Sequence, residues 1–77
     1  MNQNEFRKYL EKHGLRQSDL AWIAGVNVRH ARAWALAEYP VPRYVSLLLK
    51  ALEQKKIDIN WISNTAGEAP PEGLNYV

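Results

Sequence analysis

Apolar residues recur three and four positions apart through most of this chain, and glycine or proline cuts that spacing into short pieces. A chain punctuated in this way is confined to several short amphipathic helices packed on one another, because no single one can bury its apolar stripe alone. Phe6, Tyr9 and Leu10 fall at i, i+3 and i+4, and Asn2 with Glu5 three residues later matches a capping box. The spacing predicts a first helix over about Gln3 to His13. Gly14 would end it as a left-handed C′ residue, with Leu15 folding back on the last turn. A second helix is expected over about Gln17 to Ala24, with Leu20, Ile23 and Ala24 on one face. Asp19 lies in its first turn, where the macrodipole favours an anion. Arg16, immediately before it, is a poor N-cap.

Gly25-Val26-Asn27 interrupts the pattern for three residues. Gly25 supplies a positive φ, Val26 drops into the core, and Asn27 caps a third helix. That helix, about Val28 to Leu36, places Ala31, Trp34 and Ala35 on one side and points Arg29, His30, Arg32 and Ala33 elsewhere. Pro40 pushes Tyr39 out of helical geometry, so 38–41 is a connector. Pro42 suits the first turn of a fourth helix, about Pro42 to Lys56, with Val45, Leu48, Leu49 and Leu52 as its buried stripe. Ile57, Ile59 and Trp61 then alternate with polar residues, which suits a short strand; a one-turn helix capped by Asp58 fits as well. From Asn64 the run is too poor in apolar residues to pack and reads as a mobile tail. The expected fold is all-α, a compact four- to five-helix bundle. Residues 1–63 would form the domain and 64–77 a flexible C-terminal tail, with a short strand at 57–62 left open.

Composition narrows the function classes. The 77 residues contain no cysteine, which removes disulfides, thiolate metal sites and thiol nucleophiles. Hydrophobic residues at 47% and charged residues at 23% are ordinary for one small globular domain. No apolar run approaches the ~18 residues of a membrane span, and the charged first twelve residues do not read as a signal peptide. A cytoplasmic protein is expected, with no membrane partner. Residues 1–63 hold all ten basic side chains against six acidic ones, a net charge of +4, while the tail carries only Glu68 and Glu72. A basic body with an acidic tail admits a polyanion partner. His13 and His30 have no carboxylate at a useful spacing, and there is no glycine-rich phosphate loop. An enzyme, a metal and a cofactor are therefore not expected.

Two short helices joined by a three-residue turn make a helix-turn-helix. Gln17-x-x-Leu20-Ala21-x-x-x-Gly25-Val26-Asn27, then Ala31, Trp34 and Val41-Pro42-Arg43, resembles the phage-repressor and Cro-like helix-turn-helix family (XRE-type regulators, lambda-repressor-like fold) over about residues 4–56. Small Ala21 lets the two helices approach, Gly25 allows the turn, and Trp34 fills the space under the third helix. The chain departs from the family at Arg16, where Ser or Thr is usual, and at Ala37, where glycine is frequent.

The resemblance implies double-stranded DNA as partner, with the third helix entering the major groove by its N-terminal end and the second lying across the backbone. By position, Val28, Arg29, Arg32 and Ala33 are the candidates for base reading. Arg29 stands first, because a guanidinium bonds guanine O6 and N7 together. Arg16, Gln17, Asn27, His30 and Arg43 are the candidates for phosphate contact, Arg43 at a helix N-terminus. The plainer reading of Arg29 and Arg32 is a solvated helix face. A single module touches about four or five base pairs, too few to select a site in a genome. Family members usually pair two-fold, placing two recognition helices ~34 Å apart. Ile57, Ile59, Trp61 and Ile62 are the candidate homodimer contact, as a strand pair or a helical patch; alternatively they close the monomer's own core. The expectation is a dimeric repressor or autoregulator, phage or prophage in type, acting by promoter occupancy at an imperfect palindrome without a small-molecule effector. The rival is a protein-interaction module such as an antitoxin or adaptor, which the apolar Leu74-Asn75-Tyr76-Val77 end keeps open.

Overall fold

The computed structural model describes residues 1–76 and places five helices in them: α1 (Gln3–Lys12), α2 (Gln17–Ala24), α3 (Val28–Ala35), α4 (Arg43–Glu53) and α5 (Ile59–Ala66). No strand occurs among the described residues. None of their helices is long and apolar enough to cross a membrane.

Local chemistry accounts for most boundaries. Asn2 caps α1 by accepting the Glu5 N–H at 2.9 Å. Gly14 at φ +65° closes it, and the Leu15 N–H returns to the Leu10 carbonyl at 2.8 Å. Gly25 takes φ +72° at the end of α2 and Val26 N–H bonds the Ala21 carbonyl at 3.0 Å. A Cβ built on Gly25 would meet no atom within 4 Å, so the turn demands glycine for its backbone angle and not for space. Asn27 Oδ1 accepts the Arg29 N–H at 2.9 Å and starts α3.

Three helices stop earlier than the apolar spacing predicts, α1 by one residue at Lys12. α3 ends at Ala35, because Ala37 turns left-handed at φ +60° and the Glu38 N–H reaches back to Ala33. α4 spans Arg43–Glu53 and not Pro42 to Lys56: Pro42 is its N-cap, and Lys55 at φ +59° breaks it while Lys56 N–H bonds Ala51. The ends of α3 and α4 both use the glycine-type closure with an L-residue in the glycine position, a local cost of about 1–2 kcal/mol each.

The core is one cluster drawn from all five helices. Phe6, Leu20 and Leu49 are fully buried, with Val45 beside them. Trp34 lies edge-on to Phe6, ring centroids 6.2 Å apart at 87°. Ala21 and Ala31 are buried as the small residues of α2 and α3. Gln3 Nε2 donates to the Ala35 carbonyl at 3.1 Å, tying the start of α1 to the end of α3. Tyr9 donates its hydroxyl to the Leu49 carbonyl at 2.7 Å and joins α1 to α4.

The C-terminal third differs from expectation. Residues 57–62 form no strand: Asp58 Oδ1 accepts the Trp61 N–H at 2.7 Å and starts α5. The inward side of α5 is Ile59, Ile62 and Ser63, an i, i+3, i+4 set that the Ile57/Ile59/Trp61 alternation masked. The domain boundary expected after residue 63 falls inside α5, which runs on to Ala66.

Residues 67–76, expected as a mobile tail, are docked across the bundle. Gly67 ends α5 at φ +72°, with Ser63 Oγ donating to the Glu68 carbonyl at 2.8 Å. Pro71–Leu74 make a turn, Leu74 N–H to Pro71 carbonyl at 3.1 Å, with Gly73 at φ +82° in the third position that a type II turn requires. Tyr76 stacks on His13, centroids 4.6 Å apart at 8°, and its hydroxyl bonds that of Tyr9. Val77 lies outside the described residues.

Candidate nucleic-acid interface

The first turns of α3 stand out from the core. Ala31, Trp34 and Ala35 take the buried side, so Val28, Arg29, His30 and Arg32 are left exposed and Ala33 half-buried. Val28, Arg29, Arg32 and Ala33 fall at i, i+1, i+4 and i+5, a single outward strip on a helix of 3.6 residues per turn. No ion pair or hydrogen bond among the described residues engages the Arg29 or Arg32 guanidinium. Arg29 is exposed and not plugged against the rest of the described residues. His30 leans toward Trp34, with ring centroids 6.4 Å apart.

The five backbone-contact candidates have unequal freedom. Gln17 is exposed as the first residue of α2, and Arg43 as the first residue of α4, where Pro42 offers no side-chain cap. Asn27 uses its carbonyl oxygen as the α3 cap, which leaves its NH₂ group for another acceptor. Arg16 is committed within the chain. Its Nε and Nη2 grip Asp19 at 3.0 and 2.7 Å, and Nη2 also donates to the Glu72 carbonyl at 2.8 Å. Asp19 in turn accepts the Arg16 N–H at 2.9 Å. This explains how α2 tolerates arginine before its first turn. An arginine side chain cannot accept an N–H, but Asp19 supplies the acceptor from inside the helix.

Asp19 is almost fully buried, and burial raises its pKa. The Arg16 side-chain bonds, the Arg16 backbone bond and the Arg16 charge together outweigh that cost and hold the carboxyl below the ordinary carboxylate range. Sequence reasoning placed Asp19 only in the macrodipole. The i, i+3 Arg-Asp spacing was the signal available for the pair.

The expected dimer residues separate. Ile62 is buried in the monomer and belongs to its core, and Ile57 and Ile59 are half-buried against that core. These three are therefore used at least in part by the chain itself, as the core-closing alternative had it. Only Trp61 stands out, 49% exposed. With no strand at 57–62, a strand-pair dimer has no edge to form on.

A groove of about 660 Å³ shares no lining residue with α3 and is bordered by His13, Leu52, Ile57, Ile59 and Tyr76. No group of three or more His, Asp or Glu side chains able to hold a metal gathers among the described residues. No family model, no curated protein and no solved structure matches the chain.

Proposed function

We propose that this chain is a sequence-specific double-stranded DNA-binding regulator of transcription, a homodimeric repressor or autoregulator that acts by occupying a promoter. The observation that carries the reading is the pair of unpartnered guanidinium groups on the outward strip of α3, one residue and four residues past its first position, directly after the Gly25-Val26-Asn27 turn. The motif over residues 17–34 supports the same reading, since it resembles phage-repressor and Cro-like regulators. In this reading Val28, Arg29, Arg32 and Ala33 meet base edges. Gln17, Asn27, His30 and Arg43 meet phosphates, and Trp61 lies in the two-fold contact.

Selection of bound duplexes from random DNA tests the proposal directly. The expected consensus is an imperfect palindrome with half-sites about one helical turn apart. Arg29→Ala should lose roughly 5- to 150-fold in affinity per half-site and relax preference at one base pair in each, the equivalent of about 1–3 kcal/mol for a bidentate guanine contact. A dimer neutralising about eight phosphates gives a slope of log K against log salt near −7. Unchanged affinity in the Arg29 variant refutes the assignment of α3.

A protein-interaction module is the second reading, favoured by Leu47 at 61% and Trp61 at 49% exposure, both large for unpartnered apolar side chains. The two readings part on one comparison. In a DNA-binding regulator Arg29→Ala weakens duplex binding and relaxes its sequence preference, and Trp61→Asp reduces self-association in sedimentation. In an adaptor Trp61→Asp abolishes partner binding and Arg29→Ala changes nothing.

A further inference from the structure

The docked segment after α5 crosses the molecule to one particular place, the start of α2. It arrives through the type II turn at Pro71–Leu74, whose second residue, Glu72, presents its carbonyl to Arg16 Nη2 at 2.8 Å. Gly73 packs beside the same guanidinium: a Cβ there would lie 3.6 to 3.9 Å from Nη2, Nη1 and Cζ.

The guanidinium has two edges that can each hold an oxyanion by paired N–H donors. Asp19 occupies the Nε/Nη2 edge, at 3.0 and 2.7 Å. Glu72 takes the remaining Nη2 hydrogen, half of the Nη1/Nη2 edge, and no hydrogen bond among the described residues uses Nη1. Asp19 therefore fixes the arginine in place and orients its second edge. The carbonyl of the C-terminal segment sits where a phosphate would bond that edge.

Charge points the same way. No lysine or arginine follows Lys56, and residues 67–76 carry Glu68 and Glu72 alone, laid against a body with net charge +4. At the far end Tyr76 stacks on His13, meets the Tyr9 ring and hydroxyl, and packs on the edge of the core. A terminal segment exposed at most of its residues opens at a smaller free energy than the domain needs to unfold.

We infer that residues 67–76 are an acidic strap that competes with DNA phosphate for the free edge of Arg16 and so restrains binding until it is displaced. This rests on the DNA-binding reading. Docked, the strap leaves Gln17, Asn27, His30 and Arg43 as the backbone anchors around α3. Released, it adds Arg16 to them, already positioned by Asp19.

The test uses the full-length chain with Tyr76→Ala to free the far end, and separately Gly73→Val, a β-branched residue at a left-handed φ, to open the turn. Circular dichroism establishes that each variant keeps its helices. Removing the work of displacing the strap should tighten binding several-fold with the salt slope unchanged, because the wild-type complex, its strap displaced, makes the same Arg16 contact. The gain should vanish when Arg16→Ala is added to either variant. In the wild-type protein, NMR titration with the selected duplex should move the Glu72, Gly73 and Tyr76 amide signals toward unstructured values. Strap signals that stay at their docked positions on saturation with DNA overturn the inference, as does a folded strap variant with unchanged or weaker binding. If wild-type binding is Arg29-dependent while the strap variants show no gain, the strap inference alone fails. If no duplex is bound in an Arg29-dependent manner, the DNA-binding reading fails and the strap inference with it.

Discussion

Ala37→Gly should stabilise this protein, and the reason is in one backbone angle. Ala37 closes α3 at φ +60°, where its N–H bonds Trp34 and the next N–H bonds Ala33. An L-residue pays about 1–2 kcal/mol for that conformation. Glycine adopts it without the penalty but brings back about 0.4–1 kcal/mol of unfolded-chain entropy. Ala37 is exposed, so removing its methyl group forfeits little burial. The net expectation is a gain of about 0–1.6 kcal/mol, centred near 0.8, or a rise in Tm of roughly 3–6 °C at that centre for a domain of this length. Thermal unfolding followed by circular dichroism at 222 nm measures it. The control is the same chemical change at Ala33, inside α3, where glycine should cost about 0.5–1 kcal/mol. Lys55→Gly, at φ +59° after α4, should repeat the gain, and the two should add because they lie in separate turns. A drop in Tm for Ala37→Gly, or the same sign at Ala33 and Ala37, refutes the argument.

Other perturbations probe the packing and the charges. Trp34→Ala empties the space beneath α3 against Phe6 and should cost about 3–5 kcal/mol, enough to remove most of the denaturant stability of a small domain. Asp19→Asn should lower Tm by several degrees at neutral pH. Because the folded-state pKa of Asp19 is depressed, its contribution is present above the unfolded value near 3.9 and is lost as pH falls through the lower folded value; the variant's acid loss of Tm should be the shallower one. Burial, then the bond to Tyr76, raises the Tyr9 phenol, so the stability it contributes is present below its unfolded pKa near 10 and fades as pH climbs above it. In Tyr9→Phe the loss of stability between about pH 10 and 12 should be reduced, as read by urea midpoints.

The parts of the fold legible in the sequence are those decided within a few residues. Asn2, Asn27 and Asp58 cap helices three or fewer positions away, and Gly14 and Gly25 close α1 and α2 by adopting an angle only glycine takes freely. The apolar stripes of α1, α3 and α4 follow from spacing alone. The strip of Val28, Arg29, Arg32 and Ala33 was legible for the same reason, since the buried side of α3 determines its exposed side. Residues 57–62 were ambiguous because Ile57, Ile59 and Trp61 satisfy a two-residue period while Ile59 and Ile62 satisfy a three-to-four-residue one.

Closer to function, the sequence alone determined which residues α3 turns outward, since helical geometry settles the opposite face once Ala31, Trp34 and Ala35 are committed inward. Only the tertiary structure decided that Arg16 is engaged and that the C-terminal segment is docked. The partners involved are 56 residues apart for Arg16 and Glu72 and 67 apart for Tyr9 and Tyr76. No local period encodes such pairings: a carbonyl and a hydroxyl carry no sequence signature, and the folded bundle alone brings them within bonding distance.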